Sequence, residues 1–391
     1  QQVIISHQFW LEGIPVSKLL NPDMVFFSLV EHIRKTRELA VDLYLETLPQ
    51  QDDDFRGWWN HSGTGAYSGD WERTCKELAA SGYTAVLPNM LWGGLAHYPS
   101  EILPVSGTCR EYGDQIAQCV EAAHRHGIEV HVWKVNWNLS TAPKDFIRKM
   151  QAEGRTQVTS SGEITEWLCP SNPENQKLEL ESMLEVAKKY DVDGLHFDYI
   201  RYPNSDNCFC DGCRARFEAQ RGKKVENWPA YCRSGKLRDE YNAFRREQIT
   251  NLVRNVSHEA KKIRPDIKIS AAVFGSWPDC GSSVAQDWPH WAAEGYVDFL
   301  CPMDYTESDS AFTGLVRNQL EVVDGRVPVY PGIGVTASNS TLPADRVAGQ
   351  IHILRELGAR GFTLFNLSGG TAKTIVPQVR FRQADTLQEA E

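Results

Sequence analysis

Asp193-Gly194-Leu195-His196-Phe197-Asp198-Tyr199 is the stretch whose reading decides the fold. Its residues alternate: Leu195 and Phe197 share one face of a strand, His196 and Asp198 the other. An ionisable group on the inward face, at a strand's last position, is costly to bury unless it is hydrogen-bonded or put to use. The plainer alternative is a structural Asp198 that caps the following loop. Asp191 and Asp193, at the other end, belong to the preceding turn.

Working outward, the same strand-then-helix unit recurs. The pattern predicts strands over Phe55–Asn60, Thr84–Asn89, Glu129–Asn136, Gly194–Asp198, Lys268–Phe274, Val297–Tyr305, Val327–Ile333 and Phe362–Asn366. Between them the spacing predicts helices over Asp70–Ser81, Asp114–His126, Pro173–Tyr190, Leu237–Ile263, Trp288–Glu294, Ala311–Val323 and Pro343–Gly358. This alternation gives an α/β chain folded as a (β/α)₈ TIM barrel. A doubly wound open sheet is the runner-up, but no Gly-x-Gly-x-x-Gly turn follows an early strand. Residues 1–50 read as a helical N-terminal extension, with apolar spacing at Leu29, Val30, Ile33, Leu39, Val41 and Leu45, and residues 51–391 as the barrel. The first residues, Gln1-Gln2-Val3, carry neither an initiator Met nor a basic leader, so a leader has been removed or the chain is part of a longer polypeptide.

Barrel chemistry sits at the C-terminal strand ends, and these ends are rich in polar and aromatic residues. Trp58 closes the first strand; Asn89 and Trp92, followed by Tyr98, close the second; Trp133, Lys134 and Asn136 close the third. The fifth runs on to Trp277, the sixth ends in Asp304-Tyr305 and the eighth in Asn366. Together they read as a sugar-binding ring, with ordinary packing the competing reading for each Trp. Trp133 and Trp137 compete with Lys134 and Asn136 for the inner face of strand three. Arg201 and Tyr202 could bond sugar hydroxyls, or Arg201 could pair with an acid. His196, one layer below Asp198, reads as a core histidine able to orient it. Glycoside cleavage ordinarily uses two carboxyl groups, and Asp198 with Asp304 is the pair expected here; Asp287 and Glu307 compete for the second place.

The chain has 391 residues and a net charge of −10, with no basic run, which argues against nucleic acid as a partner. No apolar stretch is long enough to span a bilayer. Twelve Trp, 13 Tyr and 15 Phe supply flat apolar faces of the kind that sugar rings match. Ten Cys include Cys208, Cys210 and Cys213, close enough to ligate one ion. Zinc takes four ligands, and Cys169 or Cys232 would supply the fourth. Disulfides or free thiols are the other readings. No organic cofactor is expected, and Cys75, Cys119 and Cys301 read as buried thiols.

The chain resembles the glycosyl-hydrolase-like family 10 proteins from Phe55 to Asn366. The resemblance is carried by Arg56-Gly57-Trp58-Trp59, Tyr98-Pro99-Ser100-Glu101, His124-Arg125-His126-Gly127, Pro170-Ser171-Asn172-Pro173 and, above all, Tyr190 through Pro203. Gln286-Asp287-Trp288 and Pro331-Gly332-Ile333-Gly334 also fit. It implies hydrolysis of a sugar polymer, with Asp198 as the leading catalytic position. By analogy with retaining α-glycosidase barrels, Asp198 is the nucleophile and Asp304 the acid/base. The Cys-x-Cys-x-x-Cys cluster is similar to the structural zinc loop of family 42 β-galactosidases, where a fourth Cys comes from the preceding loop; Cys169 occupies the matching place. A non-catalytic carbohydrate-binding barrel is the alternative function.

Overall fold

The computed structural model describes residues 22–47 and 54–381. Eight parallel strands form the barrel: β1 Phe55–Asn60, β2 Ala85–Trp92, β3 Glu129–Val135, β4 Gly194–Asp198, β5 Lys268–Val273, β6 Phe299–Pro302, β7 Gly332–Gly334 and β8 Gly361–Phe365. Hydrogen bonding runs in the order β7-β8-β1-β2-β3-β4-β5-β6. Parallel bridges from Leu300 to Val329 and from Met303 to Gly332 link the two ends of that order. The (β/α)₈ architecture expected from the alternation is therefore the one found. Two strands are shorter than their sequence pattern. Pro328 and Pro331 have no amide N–H to give the ladder, so β7 begins only at Gly332, and Pro302 ends β6.

Two separate apolar clusters fix which way each side chain points. The inner one joins Phe55, Trp59, Leu87, Trp133, Val135, Ala272, Phe299 and Cys301, with Trp92, Tyr199, Met303, Tyr305, Tyr330 and Phe365 packed against it. The outer one, between strands and helices, contains Trp58, Val86, Val130, Val132, Leu195, Phe197, Ile269, Ala271 and Leu300. Strand alternation thus holds around the whole barrel. A Cβ at Gly332 would stand 2.8 Å from the Trp59 ring, so a glycine there makes room for that indole in the lumen.

Among the helices are α1 Pro22–Thr47, α2 Trp71–Ala80, α3 Gln115–Arg125, α4 Pro173–Lys189, α5 Asp211–Arg221, α6 Arg238–Ile263, α7 Trp288–Ala293, α8 Asp309–Val323 and α9 Ala344–Glu356. Helix α1 lies against α9, where Tyr44 meets His352 with ring centroids 5.2 Å apart and Arg37 pairs with Asp345. Residues 1–21 of the expected extension, and residues 48–53, lie outside the described residues. Among those described, no helix is long and apolar enough to cross a membrane. The long connection after β4 holds α5, whose Phe217 joins Phe209, Val225, Cys232, Tyr241 and Phe244 in a small core of its own. A hairpin, Thr156–Val158 with Ile164–Leu168, follows β3; the polar Ser160-Ser161-Gly162 turn is its visible signal in the sequence.

Candidate active site

Asp198 ends β4 on the inner face and is 4% exposed. Its Oδ1 accepts the amide N–H of Tyr199 at 2.6 Å. Tyr199 adopts φ 52°, a left-handed conformation that costs a non-glycine residue energy and turns the chain sharply away at the barrel mouth. Burial pushes the Asp198 carboxyl up to about 6, and the Tyr199 amide, Arg201 and the Trp133 indole oppose that rise without cancelling it. One layer deeper lies His196. Its Nε2 accepts from Trp59 Nε1 at 2.9 Å, which leaves Nδ1 to donate to Ser270 Oγ at 2.8 Å. Burial pushes His196 well below its ordinary value, so a neutral ring floors the site.

Around Asp198 the lumen is aromatic. Tyr305 stacks on Phe365 with centroids 5.4 Å apart and meets Trp59 edge-on at 6.3 Å. Trp133 lies on β3 beside His196 on β4. At the rim, His61 packs edge-on against Trp92 and Trp133, 5.9 and 5.8 Å away, and crowding lowers its proton affinity. The Asn89 carboxamide gives its N–H to the Leu91 carbonyl at 3.0 Å and accepts Trp92 Nε1 at 3.3 Å. Asn366 accepts the His61 amide through Oδ1 at 3.4 Å. Arg201 lies over Tyr199 and Phe274, each 4.6 Å away, and Trp167 of the hairpin stacks on Tyr199 at 5.4 Å. The structure thus gathers Asp198, Asn89, Trp92, Trp133, His196, Arg201, Tyr305 and Asn366 at one mouth.

Other expected site residues point elsewhere. Asp304 lies just past the end of β6, with its carboxyl turned to α8. It is fully buried; Oδ1 accepts Gln319 Nε2 of α8 at 2.7 Å and Oδ2 has no hydrogen-bond partner. A Cβ at residue 275 would stand 2.1 Å from that Oδ1, so Gly275 opens the space the carboxyl occupies. The structure engages the Asp304 carboxyl with Gln319 of α8 rather than with a group of the mouth. Of its rivals, Asp287 faces Arg246 at 3.6 Å in the outer shell, while Glu307 accepts the Thr341 amide at 3.1 Å on the exposed rim.

Trp58 packs outward on Tyr83, 5.6 Å between centroids, because its neighbour Trp59 takes the lumen. Lys134 and Asn136 also face out, since Trp133 wins the inner face of β3. Glu179 of α4 lies 3.5 Å from Lys134, accepts Asn136 Nδ2 at 2.7 Å and accepts the Trp137 amide at 3.2 Å. Tyr98 donates to Glu185 of α4 at 2.9 Å. Tyr202 is buried under Arg245, 4.5 Å from its ring centroid, and Trp277 packs on Trp288. These six do not line the mouth. Trp59, His61, Trp167, Tyr199 and Phe365 do. Trp59 and Phe365 had a usable signal, because each sits at even spacing from a residue of the inner face.

The thiols of Cys169, Cys208, Cys210 and Cys213 lie within 4.8 Å of one another, all buried. Cys169 Sγ is 3.4 Å from Cys213 Sγ and 3.8 Å from Cys210 Sγ, and Cys210 Sγ accepts the Cys213 amide at 3.4 Å. Cys232 lies in the aromatic core of the insertion instead.

A model of the family described as glycosyl hydrolase-like 10 matches residues 70–343. Glycosyl hydrolase DigH of Escherichia coli (strain K12) is 25% identical over 276 residues, 61% of this chain and 59% of that protein. Glycosyl hydrolase YngK of Bacillus subtilis (strain 168) is 24% identical over 261 residues, 59% of this chain and 47% of that protein. An S-layer-related protein of Niallia circulans is 28% identical over 205 residues, 43% of this chain and 13% of that one. The chain thus spans less than two thirds of each of these relatives. The glycoside hydrolase domain of PgaB (BpsB) from Bordetella bronchiseptica superposes with a TM-score of 0.66 at 14% identity, over 84% of this chain and all of that domain. Gan42B, a GH42 β-galactosidase from G. stearothermophilus, gives 0.59 at 11% identity, over 81% of this chain and 51% of that one. At such identities the two solved structures speak for the barrel alone. The family match extends over well more than half of the sequence, and on it the chain belongs to the glycosyl hydrolase-like 10 family.

Proposed function

We propose that the chain is a glycoside hydrolase acting on a carbohydrate polymer, with Asp198 as the proton donor to the leaving glycosidic oxygen. The observation that carries this reading is a carboxyl at the mouth of the barrel, held near 6 by burial and ringed by Trp59, Trp133, Tyr305 and Phe365. A group with that proton affinity is partly protonated near neutrality, as a general acid must be. The aromatic faces and the Asn89 and Asn366 amides suit sugar rings and their hydroxyls. Asp304 enters this reading as a support for the end of β6, in place of the acid/base role expected from sequence. The four thiols are assigned a structural zinc ion. Zinc–sulfur bonds of ~2.3 Å in a tetrahedron place sulfurs ~3.8 Å apart, close to the Cys169–Cys213 and Cys169–Cys210 spacings of 3.4 and 3.8 Å. Saturated by thiolates, such an ion has a structural role only.

A panel of purified polysaccharides, with released reducing ends as the readout, tests the hydrolytic reading. We expect at least one to be cleaved, and Asp198→Asn to lower that turnover by about 10²-fold or more. Cleavage should decline as pH rises through about 6, because the protonated acid is the working form. Full turnover by Asp198→Asn would overturn the assignment. The engagement of Asp304 by Gln319 favours the second reading, a carbohydrate-binding barrel without turnover. Glycan binding with unchanged chain lengths after long incubation would select it.

A further inference from the structure

Arg201 is the one large cation that the structure places beside Asp198, and its bonding is incomplete. Arg201 lies in the connection three residues past the end of β4 and is partly buried, with its guanidinium over the Tyr199 and Phe274 rings, 4.6 Å from each centroid, and 5.7 Å from that of Trp167. Nη1 donates to the Tyr202 carbonyl at 3.2 Å. Nε is buried with no acceptor. Among the described residues, no carboxylate lies within 4.0 Å of the guanidinium. Two other buried arginines also have an Nε without an acceptor, but each makes a further ion pair or hydrogen bond. Arg355 pairs with Asp54. Arg245 gives Nη1 to Asn242 and Nη2 to the Asn204 carbonyl.

A guanidinium partly withdrawn from water, flanked by rings and short of an acceptor is an incomplete anion site. Its planar fork matches the two oxygens of a carboxylate. The flanking rings hold the fork in one plane and offer an apolar face to the sugar ring that would carry the acid. We propose that Arg201 forms a subsite for a carboxylate-bearing sugar, so that the glycan this barrel takes is acidic. This deepens the hydrolytic reading and rests on the same mouth. A neutral sugar at the mouth would shield the guanidinium from water without supplying a counter-charge, so the subsite also selects against uncharged glycans. The formal charge of −10 repels such a polymer at long range, but salt screens that repulsion within about 8 Å at physiological ionic strength, and the contact at Arg201 decides the outcome.

The test is binding, so that it stands apart from turnover. Tetramers of glucuronate, mannuronate and galacturonate are titrated calorimetrically against the whole chain, each beside its carboxyl-reduced counterpart. At least one uronate tetramer should bind 10-fold or more tighter than its reduced partner. Arg201→Gln should abolish that ratio, a loss of about 30-fold or more where the pair is desolvated, and Arg201→Lys should restore part of it. Circular dichroism of each variant confirms the fold. No uronate preference in the unsubstituted protein, or a preference that survives in Arg201→Gln, overturns the proposal. A preference that depends on Arg201 in a protein that cleaves none of the tetramers would support the subsite and count against hydrolysis.

Discussion

A carboxyl with no exposure, one oxygen bonded to Gln319 and the other unpaired, is more stable with its proton on. Burial pushes Asp304 up to about 7, whereas an unfolded Asp titrates near ~3.9. Between those two values folding takes up a proton. The contribution of Asp304 to stability is therefore complete below about 4 and is lost as pH rises through about 7, with a slope of at most ~1.4 kcal/mol per pH unit. Asp198 adds a slope of the same sign over a narrower window, from its unfolded value to about 6. Urea midpoints of Asp304→Asn should consequently fall less between pH 4 and 7 than those of the unsubstituted protein. Its turnover on any cleaved glycan should stay within about threefold. Loss of turnover at an unchanged midpoint would return Asp304 to the chemistry. The position of Asp198 was legible because its strand is short and begins at the Gly194 boundary. Asp304 lies beyond the end of β6, where alternation no longer fixes the direction of a side chain, so its bond to Gln319 was not legible in the sequence.

On the scale of elements, β3 is where sequence alone left two answers, because Trp133 and Lys134 could each fill the lumen. Packing chose the indole, and the consequence for Lys134 is a fully buried polar network with α4. Glu179 is its centre, although it looks in sequence like one more helix acid between Leu178 and Leu180. Its spacing from Asn175 and Met183 puts it on the inward stripe of α4, and that was the available signal. Through Asn136, whose amide donates to the Asp198 carbonyl at 2.8 Å, this network also ties β3 to the end of β4. Removing one member of a buried ion pair typically costs about 3–5 kcal/mol, because the other charge is left unserved. Glu179→Leu should lower stability by that amount in chemical unfolding, and Lys134→Met by less, since Glu179 keeps two neutral donors. The double variant should cost less than the two singles added. Strict additivity would mean that the 3.5 Å contact carries no coupling.

For the molecule as a whole, the barrel and the insertion after β4 are two cores joined at the cysteine cluster. Cys169 comes from the end of the β3 hairpin; Cys208, Cys210 and Cys213 come from the start of α5, and Tyr241 of α6 donates to the Cys208 carbonyl from beneath. The alternation of strands and helices gave the barrel from sequence. The fourth member of the cluster could not be chosen that way, because Cys169 lies 39 residues before Cys208 and only the meeting of two loops selects it over Cys232. Four thiols packed this closely, with no disulfide among them, would repel one another once ionised, and a divalent cation removes that repulsion. The purified protein should hold close to one equivalent of zinc by mass spectrometry of the metal. Chelation should lower the thermal stability of the chain, because the four thiols sit in the barrel's outer cluster and Tyr241 of the insertion core bonds the Cys208 carbonyl. Cys169→Ser should lower the metal content and the melting temperature together, while Cys232→Ser should leave the metal content as it was. Zinc below half an equivalent in protein purified without chelator, or retention of the metal by Cys169→Ser with loss in Cys232→Ser, would sink the assignment.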